Sequence, residues 1–241
     1  VSQGTKDRDL QVVKATGYKP NYMARGLRAS RTNSVGIIID DLTEFSSTGI
    51  IDGIMSYFDE HNYKAILENL RFYSKWGNKW YHNKDYEESV QQAIDEFKSI
   101  KVDGIIYVAG HARCISCIPE NLNTPLVISY AFTEQPGFSS VEFDDVTAAF
   151  DLTNHLIKNG HKKIAVIAGS ENNIHTERRL EGFKKAMKEN GLSTKDSDIR
   201  HGKWDAASGF ESARELLGGS DYTAIFCFND LMAAGVYDYL Y

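Results

Sequence analysis

The sequence predicts an α/β protein built of doubly wound parallel sheet, and three observations carry that expectation. Short β-rich runs alternate with amphipathic helical runs over most of the 241 residues, the pattern of a parallel sheet covered by helices on both faces. Hydrophobic side chains make up 42% of the chain, too many for disorder and enough for one large or two modest lobes. The charge is divided: residues 1–35 hold seven Lys and Arg against two Asp and Glu, while the remainder holds 20 against 31. An acidic body carrying a basic arm confines any nucleic-acid contact to the arm.

In chain order the arm comes first. Arg25, Arg28 and Arg31 recur every three residues around Leu27, which would put guanidinium groups on one side of a short helix whose start Gly17 and Pro20 mark. Such a helix has almost no apolar face and needs a partner, for which the phosphate backbone is the obvious candidate. A solvated linker is the plain alternative. Strands then read at 35–40, 63–68, 102–108, 126–130, 163–168, 199–201 and 223–228. The clearest helix runs over 84–100, where Tyr86, Val90, Ala93, Ile94, Phe97 and Ile100 keep the i, i+3, i+4 rhythm of one buried face. Leu180, Phe183, Ala186 and Met187 repeat that rhythm after Thr176, and Ala206, Phe210, Ala213, Leu216 and Leu217 repeat it after Asp205. These stripes are core.

Several function classes are excluded or weakened. Three cysteines do not make a disulfide framework, and the Cys114–Cys117 C-x-x-C pair has neither a helix-start signal nor a second pair to complete a zinc site. No segment has the length of a membrane span, and the charged start is not a signal peptide, so a reducing cytoplasm is expected, with no metal and no cofactor. No nucleophile elbow, Walker loop, zinc-protease or dinucleotide fingerprint is present. Asp40 with Asp41, and Glu142 with Asp144 and Asp145, could be acid–base pairs. Adjacent acids on one short segment read better as turn and cap residues, so no catalytic residue is assigned and an enzyme is not expected.

From the first residue, VSQGTKDRDLQVVKATGYKPNYMARGLRASRTNSVGIII resembles the end of the DNA-binding headpiece, the hinge helix and the first core strand of LacI/GalR (lactose-repressor) family transcriptional regulators. Val1, Ser2 and Thr5 stand where that family enters its last headpiece helix, and Gly17, Tyr18, Pro20 and Asn21 where it leaves it. The resemblance places Asn21, Ala24, Arg25, Leu27 and Arg28 in the DNA-binding hinge, whose leucine wedges into the minor groove. An apolar side chain flanked by arginines suits partial unstacking of a base step with phosphate anchoring. The two preceding helices, including the major-groove reader, are absent from the sequence, so base-edge reading by that route is not expected of this chain. VDGIIYVA at 102–109, VEFDD at 141–145, NGHKKIAVIAG at 159–169, RRLEGFKKAM at 178–187 and TAIFCFNDLMAAG at 223–235 look like further family blocks, in family order. The resemblance therefore implies two doubly wound parallel-sheet lobes like those of periplasmic sugar-binding proteins. The expected domains are a headpiece remnant plus hinge helix at 1–34, an N-terminal effector-binding lobe at 35–145 and an incomplete C-terminal effector-binding lobe at 146–241.

Ligands of open α/β sheets bind beyond the carboxyl ends of the strands. Ser46 and Ser47 follow the first strand where the family often has aromatics, which suggests a polar effector; a helix cap is the alternative for either. His175 and Arg179 lie after Gly169, and Arg179 matches the family's effector-binding arginine in R-x-x-G-F. Its five rigid donors could fork onto vicinal hydroxyls, a carboxylate or a phosphate. Trp204 matches the family's pocket aromatic, its indole face suited to a sugar ring or a base. Asn229, in F-N-D, stands where the family hydrogen-bonds effector and can donate and accept at once. The segment 70–83, LRFYSKWGNKWYHN, is longer than the family usually has there. It is expected to be a self-packed surface loop, with a lid as the other reading.

These readings add up to a sequence-specific DNA-binding transcriptional regulator, a repressor, controlled by a small polar effector such as a sugar or sugar phosphate held between two lobes. The expected partners are operator DNA through the full-length protein, a carbohydrate effector and a second copy in a homodimer; no membrane is involved. A sugar-binding protein of a transport system is the alternative, disfavoured by the headpiece remnant.

Overall fold

The computed structural model describes residues 2–17, 31–219 and 221–241. Asn21, Ala24, Arg25, Leu27 and Arg28, expected to form a hinge, lie outside them. The chain divides into two units, Val1–Glu142 and Phe143–Tyr241.

The first helix, α1 (Gln3–Thr16), is capped at one end by Ser2, which accepts from the Thr5 amide, and at the other by Gly17 at φ 63°. None of its residues is buried, so local capping rather than packing accounts for it.

Sheet order in the first unit is β2-β1-β3-β4-β5, all parallel, from β1 (Ser34–Ile39), β2 (Lys64–Asn69), β3 (Gly104–Val108), β4 (Leu126–Ser129) and β5 (Ser139–Val141). Between them lie α2 (Phe45–His61), α3 (Phe72–Trp76), a 3-10 segment (Gly77–His82) and α4 (Asp85–Ile100). The Ile37-Ile38-Ile39 run shows how the layers arise. Successive strand side chains point to opposite faces. Ile37 and Ile39 therefore pack with Phe58 of α2, while Ile38 packs with Val90, Ile94 and Phe97 of α4. Gly36 is where α4 comes closest: a Cβ there would lie 2.3 Å from the Phe97 ring.

Two expectations fail in this unit. β5 has three exposed residues and so offers no hydrophobic alternation to read. The segment 70–83 is not a self-packed surface loop. The Leu70 amide bonds the Ile39 carbonyl at 2.9 Å and the Phe72 amide bonds the Asp40 carbonyl at 3.0 Å, which carries the backbone past the end of β2. Phe72 and Trp80 then sit wholly buried, 4.5 Å apart between ring centroids.

Sheet order in the second unit is β7-β6-β8, again parallel, from β6 (Ile164–Ala168), β7 (Ile199–His201) and β8 (Ala224–Cys227). Its helices are α5 (Asp145–Lys158), α6 (Ile174–Glu189), α7 (Ala206–Leu217) and α8 (Asp230–Leu240). α5 packs on α6 and α7 on α8. Glycine permits the closest of these approaches, since a Cβ at Gly182 would lie 2.2 Å from the Val146 carbonyl oxygen and one at Gly235 would lie 1.9 Å from that of Ala206. The division between units falls at 142/143 rather than after 145, because Asp144 caps α5 through the Thr147 amide and Asp145 is already helical.

Candidate functional site

In the second unit the carboxyl ends of β6, β7 and β8 bring His175, Arg179, Trp204 and Asn229 onto three adjoining loops. His175 and Arg179 come from the first two turns of α6, which Asn173 caps by accepting from the His175 and Thr176 amides. Both reach one carboxylate. Asp145, 3% exposed, accepts from Arg179 Nε at 2.7 Å and from His175 Nδ1 at 2.6 Å, and that partner fixes the imidazole proton on Nδ1. Arg179 also donates through Nη1 to the Phe228 carbonyl, which ties it to the end of β8.

Burial alone would raise the Asp145 pKa. Hydrogen bonds from His175 and Arg179, and the Arg179 charge, outweigh it and hold the carboxyl below the ordinary value. The sequence alone does not single out Asp145 as a site residue, because its neighbour Asp144 is the cap that adjacent acids suggest, while its own partners lie 30 and 34 positions away.

Trp204 adopts φ 66°, and its indole lies flat on the end of β6: a Cβ at Gly169 would meet Trp204 Cζ2 at 1.9 Å. The Arg179 guanidinium carbon stands 5.9 Å from the indole centroid. Asn229 caps α8 by accepting from the Met232 amide at 2.9 Å and donates to the Trp204 carbonyl at 2.9 Å. Its amide is thus largely spent on holding the β7 loop against the β8 loop.

In the first unit the carboxyl ends of β1 and β3 enclose a buried ion pair. Asp40, fully buried, accepts from Arg113 Nη1 at 2.7 Å and Nη2 at 3.1 Å, from the Tyr107 hydroxyl at 2.5 Å and from the Gly110 amide at 2.8 Å. The guanidinium lies 4.5 Å over the Trp80 ring, a cation–π contact in a dry place. Burial works against the Arg113 charge, but Asp40 more than compensates, so it stays protonated. Tyr107, buried beside Asp40, has its hydroxyl pKa raised well above ordinary. Asp41 takes the turn role, accepting from the Thr43 amide and hydroxyl and the Tyr73 amide.

Ser46 and Ser47 fall inside α2, whose cap position is Glu44. Neither is its cap. Ser47 is wholly buried, its Oγ making no hydrogen bond, and Ser46 is half-buried. Cys114 and Cys117 are free, one exposed and one buried, and burial pushes the Cys117 thiol up to about 12, far from a reactive thiolate. Among the described residues no three His, Cys, Asp or Glu side chains are grouped to hold a metal, and no helix is long and apolar enough to cross a membrane. A groove of about 520 Å3 beside β8 is lined by Leu152, Leu156, Phe226, Val236 and Leu240, and by Asn229. Its apolar walls do not suit a polar effector.

Residues 55–240 match the family described as periplasmic binding proteins and sugar binding domain of LacI family. Catabolite control protein A of Priestia megaterium is 32% identical over 243 aligned residues, 98% of this chain and 68% of the relative. The HTH-type transcriptional repressor CytR of Escherichia coli strain K12 is 27% identical over 237 residues, 98% of this chain and 66% of the relative. Among solved structures, the lac repressor dimer bound to operator and the anti-inducer ONPF superposes with a TM-score of 0.76 at 22% identity, covering 100% of this chain and 69% of that one. The chain thus spans about two thirds of the length of these relatives.

Proposed function

The chain belongs to the LacI/GalR family of transcriptional regulators, and on that premise we propose that it is the effector-sensing part of a DNA-binding repressor of the cytoplasm. The observation that carries the sensing role is the carboxylate, guanidinium and imidazole of Asp145, Arg179 and His175, gathered at the strand ends beside the Trp204 indole. Strand-end loops are where such sheets take ligands. A guanidinium held in place by Asp145 and the Phe228 carbonyl, with donors left on Nη2 beside an aromatic face, fits a small polar molecule with an apolar side, of which a sugar is the simplest. Arg179, Trp204 and His175 are the proposed contacts, Asn229 holds the Trp204 loop, and half-buried Ser46 is the proposed contribution of the first unit, whereas Ser47, wholly buried within α2, is not available to an effector.

DNA contact is assigned to the basic arm through Asn21, Ala24, Arg25, Leu27 and Arg28, with Leu27 as the minor-groove wedge. Two copies are proposed to act together. The short helix expected in the basic arm is so poor in apolar residues that it would need a partner, and α2 and α8 each expose apolar side chains, Phe45 and Tyr57 on the one and Leu231, Tyr237 and Leu240 on the other. Regulation requires the effector to bind two arrangements of the protein unequally.

A thermal-shift screen of mono- and disaccharides and their phosphates should yield a stabilising compound. Calorimetry with that compound then tests the site. A hydrogen bond to a charged group contributes about 1.5–3 kcal/mol, so Arg179→Ala should weaken binding by roughly tenfold, and Trp204→Ala should weaken it as well. Wild-type affinity in both variants would show that the site is elsewhere.

A further inference from the structure

Where the basic arm joins the first unit, one carboxylate grips the junction. Asp103 stands on the step between α4 and β3, and its backbone is fixed from both sides. Before it, Lys101 at φ 61° closes α4, its amide bonding the Lys98 and Phe97 carbonyls. Its own amide donates to the Ser34 carbonyl at 2.8 Å. The half-buried side chain then reaches the two residues that precede β1. Oδ1 accepts from the Thr32 amide at 3.0 Å and Oδ2 from the Asn33 amide at 2.7 Å. The Thr32 hydroxyl lies 3.2 Å from Oδ1, 3.1 Å from the Lys101 carbonyl and 2.7 Å from the Ser34 hydroxyl.

The neighbouring strand completes the hold. Asn33 adopts φ 48°, the left-handed region that Asn tolerates, and its carbonyl accepts from the Lys64 amide of β2 at 2.8 Å. Residues 32 and 33 are thus bonded to the lead-in of β3 and the start of β2 at once. A carboxylate that takes two successive backbone amides is a charge-assisted, two-point grip. Arg31, the last basic residue of the arm, is joined directly to Thr32. The course of the chain at the root of the arm is therefore set by the amino ends of the sheet, not by a free tether.

We propose that Asp103 is a positioning residue for DNA contact, which holds the root of the arm to the sheet so that a rearrangement of the first unit reaches the arm instead of being lost in a slack joint. The proposal rests on the repressor reading above and adds to it a residue through which the sensing part acts on the arm. A slack joint would have to be ordered each time DNA is bound, which weakens binding. It would also let two arrangements of the core present the arm alike, which erases regulation.

The test compares wild type, Asp103→Ala, Asp103→Asn and the control Asp95→Ala in the full-length protein. Asp95 is an exposed acid of α4 whose partner is Lys98. Hydrogen exchange reads the grip: in Asp103→Ala the Thr32 and Asn33 amides should exchange at least about tenfold faster, while those of Ile37, Ile38 and Ile39 keep their protection. Anisotropy with a labelled duplex selected by the wild-type protein reads the consequence. Asp103→Ala should bind it about tenfold more weakly with the same salt slope, since no phosphate contact is lost. Removing an acid at the root of a basic arm should by charge alone tighten binding, so the sign of the change separates the two effects. The change in affinity caused by the sugar or sugar phosphate that most raises the wild-type melting temperature should shrink toward none in Asp103→Ala, with calorimetric affinity for that compound unchanged. Asp95→Ala should match wild type throughout.

Unchanged exchange at Thr32 and Asn33, tighter DNA binding, or faster exchange with wild-type affinity and response would each overturn the proposal. If Asp103→Ala also strips protection from Ile37 to Ile39, the same criteria are read in Asp103→Asn, which keeps one acceptor. A wild type that binds no duplex ends both readings. A wild type that binds duplex but answers to no sugar or sugar phosphate ends the sensing reading, and the affinity of Asp103→Ala still decides this one.

Discussion

Asp40→Ala should destabilise the first unit by about 3–5 kcal/mol, the usual consequence of leaving one member of a buried ion pair without its partner. Asp40 is wholly buried and accepts four hydrogen bonds, two of them from Arg113, whose side chain is only 12% exposed. Truncation strands the guanidinium, the Tyr107 hydroxyl and the Gly110 amide together. For a chain of this size that corresponds to a fall in melting temperature of about 6–20 °C. The double variant Asp40→Ala with Arg113→Met should recover part of the loss, because no charge is then left buried. Urea melts of the three proteins decide the matter, and a loss under about 1 kcal/mol in the single variant would mean that the pair is not closed in solution.

Asp145→Asn should cost about 2–3 kcal/mol, less than the first case because Arg179 is 26% exposed and partly screened. The variant keeps the shape and removes the charge that both His175 and Arg179 face. The pH dependence has a definite sign. The folded pKa of Asp145 is lowered from 3.8, so its contribution is fully present above that unfolded value and is lost as pH falls through the lower folded one. The gap between wild type and Asp145→Asn should accordingly be full at pH 7 and shrink below about pH 4. A gap that stays constant from pH 7 to pH 3 would contradict an ionised Asp145 in the folded protein. Because Arg179 loses the partner that orients it, effector affinity should fall as well.

Much of this was legible in the residues, and the parts that were not share one physical cause. Strand positions followed from β-rich runs, and the stripe from Tyr86 to Phe97 gave α4 its buried face, since both signals are local and periodic. The loops carrying His175, Arg179, Trp204 and Asn229 could be named because they follow strand ends. What the sequence could not display was pairing at long range. Asp40 and Arg113 stand 73 positions apart, and nothing local to Arg113 points to that partner. Trp80 read as a loop aromatic because nothing nearby signals the guanidinium that packs on it. Asp144 and Asp145 look alike in sequence, yet a single residue step sends the first to a helix cap and the second to the centre of the site.

The central claim, that a small molecule held near Arg179 controls DNA binding, is tested most directly by fluorescence anisotropy of a labelled operator duplex selected by the full-length protein. Saturating effector should change operator affinity by about 5- to 150-fold, the usual range of coupling between two sites. Arg179→Ala should keep the effector-free affinity and lose the response, whereas Leu27→Ala should lose affinity while the salt dependence stays nearly the same. Two copies should bind each duplex. The same operator affinity with and without saturating effector, in a protein that calorimetry shows to be fully occupied, would contradict the account.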